Sequence, residues 1–272
     1  MANIKGFLAA AGVAAAASLA VSSAALADDA PKFGYSLSIV GVSDYLFRGI
    51  TYTEHDPAFQ PYLEFTYGTA ASTLYLGIWA SNIHSNPTGT NGLADLRPWE
   101  TDIYAGWRPV TNWFDHAVNW DLGALYYTYQ QGSFSPESVN YLELKVSATT
   151  ALATNLTGGF NFFFTPDQGA IVTPWTETIE GTLAYQLPDV KGLGTATITP
   201  TVSGLVGYTT APNNSGWFLG QDNYTYWNAG LKLAIDKYYM DFRYYGTSFN
   251  NETDPNGLAR DEFLFTAGVT LP

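Results

Sequence analysis

Beyond residue 27 no segment of this chain approaches the ~20 consecutive apolar residues of a membrane-spanning helix, yet its apolar residues return at every second position. From Tyr238 the order runs Tyr-Tyr-Met-Asp-Phe-Arg-Tyr-Tyr. In an extended chain this puts Tyr238, Met240, Phe242 and Tyr244 on one face and Tyr239, Asp241, Arg243 and Tyr245 on the other. A helix would mix the two sets. The same period sets Leu142, Leu144 and Val146 against Tyr141, Glu143 and Lys145, and sets Thr101, Ile103, Ala105 and Trp107 against Glu100, Asp102, Tyr104 and Arg108. Charges fall consistently on one face.

Read in this way, the chain holds about twelve strands, near 34–48, 58–68, 72–83, 98–108, 116–129, 138–148, 154–164, 175–186, 195–209, 223–235, 237–248 and 260–271. Each reaches the ~9–11 residues that a tilted transmembrane strand needs. Connections after odd-numbered strands are long and polar, as in His84 to Leu96, Thr210 to Asp222 and Asn250 to Leu258. Those after even-numbered strands are mostly short, as at Gly68 to Ala71 and Ile235 to Lys237. Long loops at one end and tight turns at the other are the pattern of an outer-membrane barrel, and an even strand count leaves both termini on the short-turn, periplasmic side.

A soluble sandwich or lipocalin-like barrel would alternate too, so composition has to decide. Aromatic residues make up 16% of the chain and charged residues 13%, against about 25% charged in an ordinary soluble domain. Trp99, Trp107, Trp113, Trp120, Trp175, Trp217 and Trp227 lie near strand ends, where a membrane interface favours them. The expected fold is therefore all-β: a transmembrane, antiparallel, up-and-down barrel of twelve strands. Its last strand, Phe263 to Leu271, must pair with the first, because an open edge cannot persist in hydrocarbon.

The chain begins like an exported protein. Lys5 precedes an apolar stretch from Phe7 to Ala20, and Ala25-Leu26-Ala27 forms a small-x-small cleavage site. Residues 1–27 read as a signal peptide and 28–272 as a single outer-membrane barrel domain. There is no cysteine, so disulfide stapling and thiol chemistry are excluded. Eleven Lys and Arg against 24 Asp and Glu give a formal net charge of −13, and loss of Lys5 makes it more negative still. That balance argues against nucleic acid and is compatible with cations.

The run Ser43-Asp44-Tyr45-Leu46-Phe47-Arg48-Gly49-Ile50-Thr51 resembles the opening motif of the TorF family of predicted bacterial outer-membrane porins. Gly77-Ile78-Trp79-Ala80-Ser81-Asn82 is similar to that family's second motif, and Glu100 to Gly106 to its acidic-aromatic strand. The motifs lie in the first half of the chain; the second half matches in length and strand texture. The resemblance implies a barrel in the bacterial outer membrane and, by family description, transport.

On this reading Asp44, Arg48, Glu64, Glu100, Asp102, Arg108, Glu143, Lys145, Lys232, Asp241 and Arg243 are candidate pore-lining residues, with Asp121 beside them. Asp44 and Arg48 share the parity of Ser36 and Ser38 and are placed on an upward first strand, where they would filter ions or, the favoured role, neutralise one another and hold the wall rigid. Thr66 and Gly106 fall on the lumen face, Leu142 and Phe242 on the lipid face. Acid and base are mixed with acid in excess, which would give a conducting path a weak preference for cations. Bulky inward residues such as Tyr75, Trp79, Tyr104, Tyr127, Tyr129 and Tyr239 would narrow that path. The favoured function is a narrow porin-type channel for ions or small solutes, with outer-membrane lipid and the barrel-assembly machinery as its other partners.

A closed structural or receptor barrel is the alternative, its partner held by loops such as Asn86 to Asn91 and Thr210 to Gly216. An outer-membrane enzyme would need a nucleophile beside a base. His84 with Ser81, Ser85 and Asp95 is the best such grouping, and chance alone supplies loops with these residues. His55 and His84 in the outer loops, with Glu54 or Asp56, do not make a convincing metal set. No cofactor and no catalytic residue are expected.

Overall fold

The structure is a computed structural model that describes residues 30–84, 96–114, 116–131, 140–168, 174–191 and 196–272. Ser85, Asn86 to Asn91, Asp95 and the cleavage region at residues 25–27 lie outside the described residues. The strands are β1 (Lys32–Val42), β2 (Leu46–Phe47), β3 (Ile50–Thr51), β4 (Ala58–Thr69), β5 (Ser72–Asn82), β6 (Leu96–Trp113), β7 (His116–Gln131) and β8 (Tyr141–Ala153). They continue with β9 (Leu156–Thr165), β10 (Thr176–Gln186), β11 (Val190–Lys191), β12 (Thr197–Thr210), β13 (Asn223–Ile235), β14 (Tyr238–Thr247) and β15 (Glu262–Leu271).

Twelve of these, all but β2, β3 and β11, form a closed antiparallel barrel in which each strand pairs with its neighbours around the ring. Two pairings complete it. β1 joins β15 from Leu37 opposite Leu271 to Val42 opposite Thr266, and β10 joins β12 from Glu177 opposite Thr210 to Gln186 opposite Thr201. Among the described residues the ring of twelve strands leaves no edge for lipid to meet, which is what a spanning β structure requires.

The parity of the alternation decides what faces out. On β1, Phe33, Tyr35 and Ile39 are exposed while Ser38, Val40 and Val42 are buried inside. On β14, Phe242 is exposed while Asp241 and Arg243 are buried. Leu76, Ile78, Ile103, Leu144, Phe160, Ile179, Val206 and Phe265 continue the outer apolar belt around the ring. Aromatics border it. Near the short turns Trp113 and Trp120 meet edge to face at 5.7 Å; the indole N–H of Trp120 donates to Thr111 Oγ1 at 2.8 Å and that of Trp107 to Ser72 Oγ at 2.9 Å. An amphipathic ring with its N–H satisfied suits the membrane–water boundary. Tyr208, Trp227, Tyr244 and Phe263 are exposed toward the long-loop end.

Strand positions follow the sequence reading closely, with two instructive differences. β6 runs on to Trp113 where the sequence ends it at Arg108, before Pro109. Proline has no N–H to give, and the ladder to β7 accordingly skips Arg108 and Pro109, passing from Trp107 opposite Leu122 to Val110 opposite Asn119. The strand continues beyond the gap. At the start of the barrel β1 ends at Val42, not near residue 48. The chain then turns into the lumen as the β2–β3 hairpin, with Arg48 at φ 52° and Gly49 at φ 82°.

The short turns are tight. Asp236, at φ 54°, and Lys237 connect Ile235 to Tyr238, which face each other across β13 and β14. Of the long loops, 211–222 is organised by Asp222, whose carboxylate accepts the amides of Asn214 (2.7 Å) and Gly216 (2.9 Å) and the Ser215 hydroxyl (3.2 Å). The two amide bonds hold its pKa below the usual carboxylate value.

Two outcomes are expected. Phe242→Lys, in the middle of the belt, costs about 2–4 kcal/mol and reduces the folded, heat-modifiable fraction, whereas Thr66→Lys on the lumen face retains it. Gly106 offers no such control, because a Cβ there would lie 2.4 Å from Tyr75 Oη. Hydrogen-exchange protection at Asn214 and Gly216 persists above the unfolded carboxylate pKa of about 3.9 and is lost as pH falls through the lowered value; in Asp222→Asn it is weaker and independent of pH.

Candidate functional site

The barrel interior is polar and crowded, and the inward hairpin occupies its outer part. The hairpin crosses from the β1–β4 side to the opposite wall. Arg48 Nη2 donates to both oxygens of Glu143 on β8, at 3.0 and 2.9 Å, and its guanidinium lies between the rings of Phe47 (4.6 Å) and Phe163 (4.8 Å). Tyr224 on β13 donates its hydroxyl to the Arg48 carbonyl at 3.0 Å. Gly49 fits where a Cβ would come within 2.6 Å of Thr247 Cγ2, so the tip needs glycine for both space and its positive φ. Behind the tip Tyr45 packs against Trp79 at 5.4 Å, and Phe47 against Tyr127 at 6.0 Å.

Asp44 and Arg48 are therefore inside the barrel, but Arg48 is at the tip of a folded-in hairpin and Asp44 on the segment leading into it, and neither is on a strand of the wall. The alternation is uninformative here, since residues four apart share a side in both arrangements. A sequence signal for the departure is the uninterrupted Tyr45-Leu46-Phe47 followed by Gly49, which breaks the two-residue period.

The wall carries its charges in sets. Arg108 makes two 2.8 Å bonds to Glu64, lies 3.7 Å over the Tyr75 ring and approaches Asp121 at 3.5 Å. Lys145 (3.0 Å) and the Tyr75 hydroxyl (2.6 Å) complete the shell of Asp121. On the other side Arg243 bonds Asp241 at 3.0 Å, Asn228 at 2.7 Å and Ser203 at 2.9 Å, and Lys232 lies over the Tyr239 ring at 4.3 Å. Such shared, multiply bonded pairs offset the desolvation of buried charge.

Glu180 belongs with these residues and the sequence reading passes over it. It accepts the Tyr226 hydroxyl at 2.6 Å and an Asn161 amide at 2.8 Å. Its signal was present: it falls in phase with Thr176 and Thr178, which are buried inside, and out of phase with the exposed Ile179 and Leu183.

Glu100 and Asp102 are different. Both are almost wholly buried, at 1% and 0% exposure. Glu100 Oε1 accepts Tyr129 at 3.3 Å, but Glu100 Oε2 and both Asp102 oxygens have no hydrogen-bond partner. They lie beneath the hairpin, and no cation among the described residues is bonded to them.

The histidines fall in three separate places. His55 lies on the loop after the hairpin with Asp44 and Glu262. His84 is half exposed, its Nδ1 3.7 Å from Asp56, and Ser81 is fully buried with its hydroxyl bonded to Asn82 O at 3.0 Å. His116 is exposed at the β6–β7 turn.

A family model described as a bacterial protein of unknown function, Gcw_chp, matches residues 26–269. The chain belongs to the Gcw_chp family. Its resemblance to TorF rests on the three sequence motifs alone. No curated protein matches this Gcw_chp chain in sequence. Among solved structures, the barrel is similar to the one described as NanC porin (11% identity, 87% of this chain and 99% of that chain covered, TM-score 0.52). A structure from work on in-meso crystallisation of membrane proteins is similar at 11% identity, with 88% and 83% covered and a TM-score of 0.50. These likenesses concern the fold, a membrane β-barrel.

Arg48→Ala in this Gcw_chp barrel leaves Glu143, 1% exposed, without its cation and lowers stability by about 3–5 kcal/mol. Adding Glu143→Gln recovers most of that loss in urea unfolding. Strict additivity of the two substitutions would mean that the pair is not coupled.

Proposed function

We propose that the protein is a narrow channel of the bacterial outer membrane, passing ions or small solutes with a weak preference for cations, and constricted on its outer side by the β2–β3 hairpin. The barrel fold and the secretion-type start support the location, and the family match supports a bacterial source. The observation that carries the channel reading is the unbalanced lumen. Glu64, Asp121, Glu143 and Asp241 have Arg or Lys partners, while the buried Asp102 has none among the described residues. Carboxylates without a protein counter-charge at a constriction favour cations on a path past them. Glu64, Glu100, Asp102, Arg108, Glu143, Lys145, Lys232, Asp241 and Arg243 are proposed to line that path, with Asp44 and Arg48 reaching it from the hairpin. The description of the similar NanC structure as a porin is in keeping with this reading. Small solutes and lipid are the proposed partners, and assembly is proposed to use the cell's barrel-inserting machinery.

A second reading has its own observation. The hairpin is anchored to the far wall through Arg48, Glu143 and Tyr224, as a permanent plug would be. Single-channel recording in a planar bilayer under a salt gradient separates the two. A narrow channel gives small discrete steps with a cation-leaning reversal potential. Replacing residues 45–51 with a short Gly-Ser turn then raises the conductance several-fold, and Asp102→Asn reduces selectivity. Silence from the folded wild type together with steps from the shortened variant identifies a closed, plugged barrel. Silence from both defeats the channel reading.

A further inference from the structure

We propose that Asp44, His55 and Glu262 form a binding site for one divalent transition-metal ion, with Zn2+ the best chemical match, fastening the hairpin loop to the first residue of β15. The proposal needs the fold only and stands whether or not the barrel conducts.

Three donor atoms converge there. His55 Nδ1 lies 2.9 Å from Asp44 Oδ2 and 3.1 Å from Glu262 Oε1, and the three atoms all lie within 4.8 Å of one another. The other ring nitrogen settles what Nδ1 can do. His55 Nε2 is 2.8 Å from the carbonyl oxygen of Gly257, which can only accept, so Nε2 carries a hydrogen. With both carboxyls ionised, a neutral imidazole presents the Nδ1 lone pair to two carboxylate oxygens, and three lone pairs meet with no donor between them. The arrangement calls for positive charge at the centre. A proton on Nδ1 would leave one imidazolium facing two carboxylates, a net charge of −1. A divalent cation with neutral histidine balances the two carboxylates and uses all three lone pairs.

The dimensions agree. Bonds of about 2.0–2.2 Å from Zn2+ to nitrogen and oxygen in a tetrahedral arrangement put donor atoms about 3.3–3.6 Å apart, so the donors need to part by a few tenths of an ångström from the spacings to Nδ1. The donors are also held from behind, as metal ligands are. Asp44 Oδ1 accepts the hydroxyls of Thr51 and Thr53, each at 2.6 Å, and the Gly257 carbonyl orients the imidazole. Side-chain exposures of 2% for Asp44, 17% for His55 and 13% for Glu262 leave the site enclosed but open to a fourth ligand such as water. One nitrogen and two oxygens suit Zn2+ or a neighbouring divalent transition metal, and the set is too small for Ca2+, which takes six to eight oxygens. It differs from the set considered from sequence, because Glu262 is 207 residues from His55 and neither Glu54 nor His84 takes part.

The ion would serve as a clasp. Asp44 precedes the hairpin and His55 follows it, so a metal on both, tied to Glu262, fixes the two ends of the inward loop to the wall.

The test uses the untagged protein, refolded in detergent and treated with a chelator, titrated with Zn2+ by calorimetry and unfolded with Zn2+ or EDTA present. One ion per chain and a higher Tm with Zn2+ are expected. His55→Gln and Glu262→Gln should each weaken binding by about tenfold or more, since even loss of an outer partner of a ligand costs 10–100-fold. Absence of binding by the folded wild type overturns the proposal and leaves a protonated histidine between two carboxylates. Undiminished binding in both variants also overturns it, placing the ion elsewhere, for example at His84 and Asp56. If the variants do not fold, X-ray absorption of the Zn2+-loaded wild type decides: a first shell with one imidazole nitrogen and otherwise oxygen supports the clasp, and a shell without imidazole overturns it.

Discussion

A backbone amide or carbonyl in hydrocarbon has no water to turn to, and each one left unpaired costs several kcal/mol. Everything else in this molecule follows from meeting that constraint with strands. The sheet must close, and it does so through the β1–β15 and β10–β12 pairings. Closure in turn assigns the two faces of every strand, one to lipid and one to the lumen. Phe242 and Asp241 are neighbours in the chain, yet one meets lipid and the other a buried ion pair.

Turning the apolar face outward creates the second problem, which is how to house the polar one. A barrel of twelve strands is too wide for its own wall residues to fill as an eight-stranded one does, and too narrow for the open channel of a large porin. This chain handles the intermediate width in two ways. Within the wall, long cations link carboxylates from strands that are not paired with one another, as Arg108 and Lys145 do around Glu64 on β4 and Asp121 on β7. Toward the outer end the wall does not close the space, and the first loop enters it, supplying Arg48 to Glu143 and aromatic rings to Trp79 and Tyr127. Beneath the hairpin, Glu100 and Asp102 are buried with no bonded cation among the described residues.

Much of this was legible in the chain. The alternation around Tyr238 to Tyr245 and Glu100 to Arg108 located strands and faces together, because a period of two leaves each side chain only two choices. The contrast between Asp236-Lys237 and the stretch Thr210 to Asp222 marked the two ends of the barrel. What eluded sequence reasoning lies where periodicity stops. Asp44 and Arg48 have the same parity on a strand or on a hairpin, so their inward placement was readable and their depth and partners were not. Pro109 resembled a strand end but is a local gap in one ladder. Glu180 was readable and was passed over.

The sequence by itself determined the twelve strands of the wall and their inside and outside faces, since these depend on local alternation and on a solvent that forbids unpaired backbone. Only the tertiary structure decided which charges meet: Arg48 with Glu143, 95 residues away, and His55 with Glu262. Pattern along a strand fixes direction, whereas encounters across a lumen depend on the radius of the closed barrel, the stagger of its strands and the path of a loop through its centre, quantities that exist only once the ring has closed.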